Sequence, residues 1–327
     1  MAETATPSSI RSDIGHNDIA GTAGKSAWGA GLLKNSFAEL FGTFMLMLVG
    51  LGVYLAALIQ GGDRMWASLA FGFTFIVVLA LFGSASSGYF NPALTLASAI
   101  AGRVGWLPAA VYIVMQVIGA LFAGLVLFIV VNASPLLATN VTQAFTKLGN
   151  SFGETSQLQV PMLSAGLIEL IATAVLAAVV LAAFRPGAER SGLSRVGGAV
   201  AVGLSYFGLL SFLVPFTNAG LNPARSMATL PWGDPTLWGQ LWLFWVAPLA
   251  GAVLAGLVYR GFFALEGDAA THGPVVADVE ETEIAIDAPA DPELSTQEAP
   301  VSADKQASTT LEETTVDTET KDFFDKK

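Results

Sequence analysis

The sequence predicts an all-α polytopic membrane protein with six transmembrane helices and two half-helices arranged as an inverted repeat. Three observations support this class: six long apolar stretches, a very low content of charged residues, and two short apolar segments that begin alike. Only 13% of the residues are Asp, Glu, Lys or Arg, whereas a soluble domain carries roughly a quarter. The chain therefore lacks the charge that a soluble surface needs.

The six long stretches are the predicted transmembrane helices. About 20 apolar residues are needed to cross a bilayer, and a soluble core helix is seldom this long without a polar face. The predicted spans are 36–59, 66–83, 108–131, 163–184, 197–214 and 238–262.

The two short segments follow Asn91 and Asn222 and are interrupted by Pro and Gly. With only about ten residues each, they are too short to cross the membrane. Non-helical backbone at membrane depth persists only where it is buried in protein or lines a water-filled cavity. Short broken segments in matching places therefore predict the permeation site.

The net charge of −11 is unevenly distributed along the chain. Residues 266–327 hold 17 acidic and 4 basic residues, whereas residues 1–265 hold 9 and 11. We predict a disordered N-terminal tail (1–34), a channel domain (35–265, with repeats at about 36–131 and 163–262) and an acidic disordered tail (266–327). The acidic tail is interpreted as a solvated spacer, with binding of a partner as the alternative.

Basic residues predict the orientation, because cytoplasmic loops carry an excess of Lys and Arg. Arg64 and Lys147 fall on the opposite side from most other loop cations and are predicted to be outside. Both termini are then cytoplasmic, in a multi-pass protein of the cell membrane. The predicted cytoplasmic cations are Lys25, Lys34, Arg103, Arg185, Arg190, Arg195 and Arg260.

The two halves of the chain match each other. Glu39 precedes Asn91 by 52 positions, and Glu169 precedes Asn222 by 53. Each repeat holds three full spans, so the second copy is inverted relative to the first. The short segments are therefore predicted to enter from opposite faces and to meet near the middle.

The repeated Asn-Pro-Ala triplets have a chemistry that suits neutral solutes. Pro is favoured at the first helical position, and the preceding Asn caps the helix while its amide keeps donors free for a solute. The positive N-terminal ends of both half-helices face the bilayer centre and repel cations and protons. The triplets are Asn91, Pro92, Ala93 and Asn222, Pro223, Ala224.

The two glutamates are costly at membrane depth and are predicted to face the bundle interior. Their carboxylates would accept hydrogen bonds from N–H groups of the non-helical loops, which is a structural role. Proton coupling is the alternative for Glu39 and Glu169, although no second titratable residue accompanies them.

Several functional classes are excluded by residue content. The chain has no Cys, and His16 and His272 both lie in the polar terminal stretches. Thiol chemistry and histidine-centred chemistry in the apolar body are therefore excluded. We expect no enzyme activity, no cofactor, no metal and no nucleic-acid partner.

These motifs resemble those of the aquaporin (major intrinsic protein) family, over about residues 36–263. Within that family the chain looks similar to the bacterial aquaporin Z type. The resemblance implies the aquaporin fold, a homotetramer with one pore per subunit, and passive flow of water and small neutral solutes across the lipid bilayer. It rests on the segments Ala38–Thr43, Asn91–Thr95 and Thr217–Ser226.

The resemblance also implies a narrow filter of four positions. Arg225 matches the filter arginine and Phe71 the filter aromatic. The third position falls on Leu210 by ungapped count, or on a neighbour one residue away, where water-specific channels carry His. The fourth falls on Ala219, where Thr or Cys is usual. This filter is expected to be wider and more apolar than that of a strict water channel.

Two further positions bear on the solute. Ser226 is typical of water channels, because glycerol facilitators carry Asp there. Tyr89 replaces a usual His and is expected to narrow the cytoplasmic vestibule. Loop backbone carbonyls are implied to line the two half-pores, at Gly88, Tyr89, Phe90, Asn218, Gly220 and Leu221.

Three functions follow as hypotheses. The first is a water channel with some leak to small neutral solutes. The alternative is a facilitator for glycerol or small polyols, and the third, least supported, is an ion-coupled transporter.

Overall fold

The structure of the chain is a computed structural model that describes residues 17–185 and 195–271. Its long helices are joined by short connections. The helices within the described residues are α1 (Asn17–Gln60), α2 (Met65–Ser86), α3 (Pro92–Ile100), α4 (Trp106–Ala133), α5 (Val141–Leu148), α6 (Met162–Ala183), α7 (Arg195–Thr217), α8 (Pro223–Met227) and α9 (Leu243–Thr271).

The predicted transmembrane spans are confirmed. Six helical segments in the described part of the chain are long and apolar enough to cross a membrane, and each coincides with a predicted span. They belong to α1, α2, α4, α6, α7 and α9.

Helix α1 begins at Asn17, within the N-terminal segment that was predicted to be a tail. Extending an existing helix adds one backbone hydrogen bond per residue without a new nucleus, so α1 extends toward the N-terminus beyond its apolar part. The last helix likewise runs to Thr271, past the predicted start of the acidic tail. The predictions for residues 1–16 and 272–327 lie outside the described residues.

The packing repeats between the two halves. In the first half α1 packs on α4, and in the second α6 packs on α9. At Gly119 of α4 an added Cβ would lie 2.3 Å from the Leu40 carbonyl oxygen, and at Gly251 of α9 it would lie 2.2 Å from that of Leu170. Only glycine permits these close crossings, which place the two glutamate-bearing helices at equivalent positions.

The two half-helices differ in length. α3 has nine residues, close to the length expected, whereas α8 has only five. A second proline, Pro231, follows α8 within a short 3₁₀ turn at Leu230–Trp232. Proline lacks the N–H that an α-helix needs, and it disfavours helical backbone at the preceding residue. The second half-helix is therefore shorter than the segment of about ten residues expected after Asn222.

The connection between the repeats is an ordered cap on one end of the bundle. It contains α5 flanked by the 3₁₀ turns Ala138–Asn140 and Gly153–Thr155. Phe145 of α5 packs on Phe128 of α4 and on Trp232. This packing brings Asn150, only 4% exposed, into the interior beside the second half-helix.

Candidate pore and filter site

The N-terminal ends of the two half-helices meet and are cross-linked by hydrogen bonds. The Asn91 amide Nδ2 donates to the Leu221 carbonyl oxygen (3.0 Å), and the Asn222 amide Nδ2 donates to the Phe90 carbonyl oxygen (3.0 Å). Each asparagine thus reaches the loop that belongs to the other repeat. The predicted meeting of the short segments agrees with this geometry.

Each asparagine also caps its own half-helix. Asn91 Oδ1 accepts from the Ala93 N–H (2.8 Å), and Asn222 Oδ1 accepts from the Ala224 N–H (3.0 Å). Pro92 opens the first half-helix and Pro223 opens the second, which agrees with the favoured first-turn position of proline.

The amide donors are less available than the sequence suggested. A side-chain amide has two N–H groups, and one of the two on each asparagine is used for the cross-link. The expectation that both donors are free is therefore wrong for one of them. The second N–H of Asn91 and that of Asn222 make no hydrogen bond to the part of the chain that the structure describes.

Glu39 holds the first loop from behind. Its Oε1 accepts from the Tyr89 N–H (3.0 Å), and its Oε2 accepts from the Phe90 N–H (2.7 Å). Gln116 of α4 donates to the same Oε2 (2.7 Å) and to the Thr95 hydroxyl (2.8 Å). The carboxylate is fully buried, and its position is that of a loop anchor.

Glu169 holds the second loop in the same way. Its Oε1 accepts from the Gly220 N–H (2.7 Å), and its Oε2 accepts from the Leu221 N–H (2.8 Å). The Thr217 hydroxyl also donates to Oε1. Glu169 is fully buried as well, so both intramembrane carboxylates bind successive backbone N–H groups.

The loops require unusual backbone. Gly88 and Phe90 in the first loop have φ values of 71° and 49°, and Ala219 and Leu221 in the second have 54° and 52°. Left-handed backbone costs about 1–2 kcal/mol for a residue with a Cβ. The buried carboxylates and the cross-linking amides hold this strained conformation in place.

Arg225 follows the second half-helix start and is almost completely buried. Its NH1 donates to Asn150 Oδ1 (2.7 Å), and its NH2 donates to the Asn218 carbonyl oxygen (2.9 Å). A guanidinium has five N–H donors, and Arg225 Nε has no partner among the described residues. The guanidinium is thus fixed on two sides and keeps free donors.

Asn150 connects Arg225 to the second loop and to the second half-helix. Its Oδ1 also accepts from the Ser226 hydroxyl (2.8 Å), and its Nδ2 donates to the carbonyl oxygens of Thr217 (3.2 Å) and Asn218 (3.0 Å). Its amide therefore binds the second loop and the half-helix at once. Sequence reasoning missed Asn150, because an asparagine in a polar connection carries no distinguishing signal.

The remaining predicted filter residues are all buried. Phe71 is 2% exposed, and its ring lies against Gly50 of α1. Ala219 is fully buried, directly after the Asn218 carbonyl that holds Arg225. Leu210 is buried, whereas both of its neighbours are partly exposed, so burial favours Leu210 as the inward-facing residue.

Two tyrosines that were not predicted lie near these positions. The Tyr54 hydroxyl of α1 donates to Asn218 Oδ1. The Tyr206 ring of α7 packs edge-on against Phe71, with ring centroids 6.1 Å apart. A signal for Tyr206 exists in the sequence, because it lies four residues before Leu210 and therefore on the same helix face.

Cavities flank the site at both ends. One of about 400 Å³ is lined by Tyr89, Arg103 and Tyr259 among others, which agrees with a vestibule position for Tyr89. Another of about 170 Å³ includes Lys147 and Asn218 in its lining. Among the described residues, no group of three or more His, Asp or Glu is placed to hold a metal ion.

This fold and site define a multi-pass helical membrane protein with two inverted repeats whose half-helices meet inside the bundle. The family model described as Major intrinsic protein matches residues 27–259. The chain belongs to the major intrinsic protein family, as its motifs predicted.

Three curated relatives give the nearer context. Aquaporin Z of Brucella melitensis is 34% identical over 233 residues, covering 70% of this chain and 98% of the relative. Aquaporin Z of Photorhabdus laumondii is 34% identical over 236 residues, covering 71% and 99%. Aquaporin Z of Rhodopseudomonas palustris is 34% identical over 226 residues, covering 68% and 90%.

A solved structure shares the fold. The aquaglyceroporin from Plasmodium falciparum superposes with a TM-score of 0.60 at 20% identity, over 71% of this chain and 95% of that one. At this identity the likeness supports the fold.

Proposed function

We propose that the protein is a passive transmembrane channel for water and other small neutral solutes that excludes ions and protons. The observation that carries the proposal is the meeting of two half-helix starts, where Asn91 and Asn222 each keep one amide N–H. A water molecule can accept a hydrogen bond from each amide in turn. The relatives named Aquaporin Z support the same function.

The exclusion of ions follows from the charges around this point. Two half-helices direct their positive N-terminal ends toward the meeting point, and Arg225 adds a full charge beyond the second. Glu39 and Glu169 have their oxygens engaged by backbone N–H groups. A cation therefore meets repulsion without a free carboxylate to compensate, whereas a neutral solute does not.

The test of water transport is stopped-flow light scattering on proteoliposomes. An osmotic step should shrink vesicles that contain the protein faster than empty vesicles, with a low activation energy. The same vesicles should hold a potassium or proton gradient as well as empty ones do. An osmotic permeability equal to that of empty vesicles contradicts the proposal.

A second candidate is a facilitator for glycerol and small polyols. It is favoured by Leu210 and Ala219, which place apolar side chains at two of the four proposed filter positions, with Phe71 and Arg225 at the others. Faster uptake of glycerol than in empty vesicles supports this candidate. Equal uptake rates in both preparations contradict it.

The two proposed filter positions can be tested by restoring polar groups. Ala219 has a positive φ, which a β-branched Thr would strain, so Ala219→Ser is the suitable change. Leu210→His combined with Ala219→Ser should reduce glycerol flux more than water flux. Equal reductions of both fluxes would contradict a filter role for these positions.

We also propose that residues 35–265 form the channel domain, and that the tails, including 266–327, are cytoplasmic. Arg103, Arg185 and Arg195 line cavities at one end, whereas Arg64 and Lys147 line one at the other. The first end is assigned to the cytoplasm. Because the chain has no Cys, Lys147→Cys and Arg185→Cys each introduce a single thiol. Intact cells that express either variant can then be treated with an impermeant maleimide. Only the Lys147→Cys variant should react.

The functional unit is proposed to be a homotetramer in the cell membrane. Many large apolar side chains are exposed on the outside of the single chain, among them Phe73, Val130 and Leu163. Such surface fits lipid and neighbouring subunits. Light scattering after size exclusion in detergent should give four chains per particle, and a monomer mass would contradict this.

A further inference from the structure

A tyrosine lies between the proposed filter and the paired asparagines. Tyr206 precedes Leu210 by four residues on α7, so both side chains lie on the same helix face, one turn apart. Tyr206 is fully buried, and Leu210 is 2% exposed. Leu210 supplies no polar group at its own level.

The ring of Tyr206 is enclosed by aromatic residues of α2. Its centroid lies 6.1 Å from that of Phe71 and 5.2 Å from that of Phe75, edge-on in both cases. The two helices cross at Gly72 and Gly203, where an added Cβ would lie 2.7 Å and 2.6 Å from the opposite carbonyl oxygen. This close crossing leaves the aromatic side chains little freedom to withdraw.

The hydroxyl of Tyr206 points toward the second asparagine. It lies close to the Asn222 side chain. Its contact with Asn222 lacks the geometry of a hydrogen bond, and the hydroxyl has no other partner among the described residues. A buried hydroxyl without a partner is costly, and a phenol can both donate and accept, so a molecule passing between Arg225 and Asn222 would satisfy it.

We propose that Tyr206 is the selecting residue of the pathway, and that the point of selection has moved one helical turn inward from Leu210. This inference rests on the proposed channel function. The ring sets the cross-section of the path, and the hydroxyl is the hydrogen-bond partner that a solute meets between Arg225 and Asn222. A wide outer filter is then compatible with a channel that passes water and restricts glycerol.

A packing role alone makes a different prediction. If Tyr206 only filled space against Phe71 and Phe75, Tyr206→Phe would keep that contact and leave transport unchanged. Removal of the ring would then alter stability without altering the ratio of glycerol to water permeability. The two variants therefore separate selection from packing.

The test measures water and glycerol permeability of the full chain in one proteoliposome preparation. Tyr206→Leu should raise glycerol permeability about tenfold, with water permeability changed less than about threefold, because the barrier to the larger solute falls most. Tyr206→Phe should lower water permeability about fivefold, since one hydrogen-bond partner is lost. Phe212→Leu, an aromatic change on the exposed face of the same helix, should leave the ratio unchanged.

The outcomes distinguish this inference from the proposed function. Wild-type water permeability equal to that of empty vesicles would overturn both. A conducting wild type together with unchanged permeabilities in Tyr206→Phe and Tyr206→Leu would overturn the inference alone. If Tyr206→Leu does not fold, Tyr206→Phe alone tests the inference, because it retains the ring. Unchanged water permeability in Tyr206→Phe would then overturn the inference.

Discussion

The two repeats share one loop design, but they support it differently. In both, a buried glutamate binds two successive N–H groups, and an asparagine reaches the opposite loop. In the first repeat the glutamate is further held by Gln116, whereas in the second it is held by Thr217. The buried glutamate and the asparagine that reaches the opposite loop are present in both repeats, because the meeting of the half-helices requires them.

The larger difference lies beyond the half-helices. The second carries Arg225, which is held by Asn150 from the connection between the repeats. The corresponding position of the first repeat is Leu94, a buried apolar residue. The pairing of the half-helices is thus symmetric, whereas the proposed filter is built at one end only. The solute selectivity of the proposed filter can therefore change without disturbing the pairing of the two half-helices.

The largest effect is expected from removing either carboxylate. Glu39→Ala or Glu169→Ala leaves two buried N–H groups without acceptors, which costs about 2–6 kcal/mol. That is a large share of the 5–15 kcal/mol typical of folded proteins, as an order-of-magnitude guide. Thermal unfolding in detergent should show loss of folded protein in both variants.

The control for the carboxylates is Glu154→Ala, because Glu154 is exposed. Its melting temperature should match that of the wild type. If Glu39→Ala or Glu169→Ala kept the wild-type melting temperature while the other variant lost its fold, the two glutamates would not be equivalent loop anchors.

The second prediction concerns Asn150 and Arg225, the part of the site that differs between the two repeats. Asn150→Ala removes the acceptor of Arg225 and the donor to two loop carbonyls, so the free energy of unfolding should fall by about 2–3 kcal/mol. The freed guanidinium should also let cations leak. Thermal unfolding and a potassium-flux assay on vesicles measure the two effects.

Asn140→Ala is the matched control, because Asn140 is exposed in the same connection. Neither stability nor ion tightness should change in that variant. An ion-tight Asn150→Ala channel of normal stability would contradict the role of Asn150.

The third prediction compares the side supports of the two glutamates. Gln116→Leu and Thr217→Val each remove two buried hydrogen bonds, so each should lower the free energy of unfolding by about 2 kcal/mol. The double variant should be additive within about 0.5 kcal/mol, since the two sites share no partner. Denaturant titration in mixed micelles measures all three, and strong non-additivity would show that the loops are coupled.

The smallest effect is expected at the left-handed positions. Gly88 and Ala219 stand at the same place in their loops, three residues before the asparagine, and both have positive φ. Gly88→Ala should cost about 1 kcal/mol through backbone strain. Ala219→Gly should change stability by less than about 0.5 kcal/mol, because relief of strain is offset by a more flexible unfolded chain.

The same thermal-unfolding assay measures both substitutions. A stabilised Gly88→Ala variant would contradict the equivalence of the two positions. Its added methyl would also lie 2.6 Å from the Leu79 side chain, so the predicted sign is supported by crowding as well as by φ.

The sequence predicted the features that a membrane forces on a chain. Long apolar spans and buried glutamates are conspicuous because lipid makes every polar exception costly. Asn150 was not predicted, because its role depends on how a polar connection folds back over the bundle. Neither was the short α8, since Pro231 acts beyond the repeated motif. Tyr206 was overlooked because a tyrosine in an apolar span is usual packing.

The crossed amides also bear on the order of synthesis. Asn91 is made 130 residues before the Leu221 carbonyl that it binds, a delay of roughly ten seconds at ordinary rates of translation. During that time the first loop can already bind Glu39 of its own repeat, whereas Asn91 lacks the Leu221 carbonyl oxygen. The cross-link between the two loops is therefore completed only after the second half of the chain has been made.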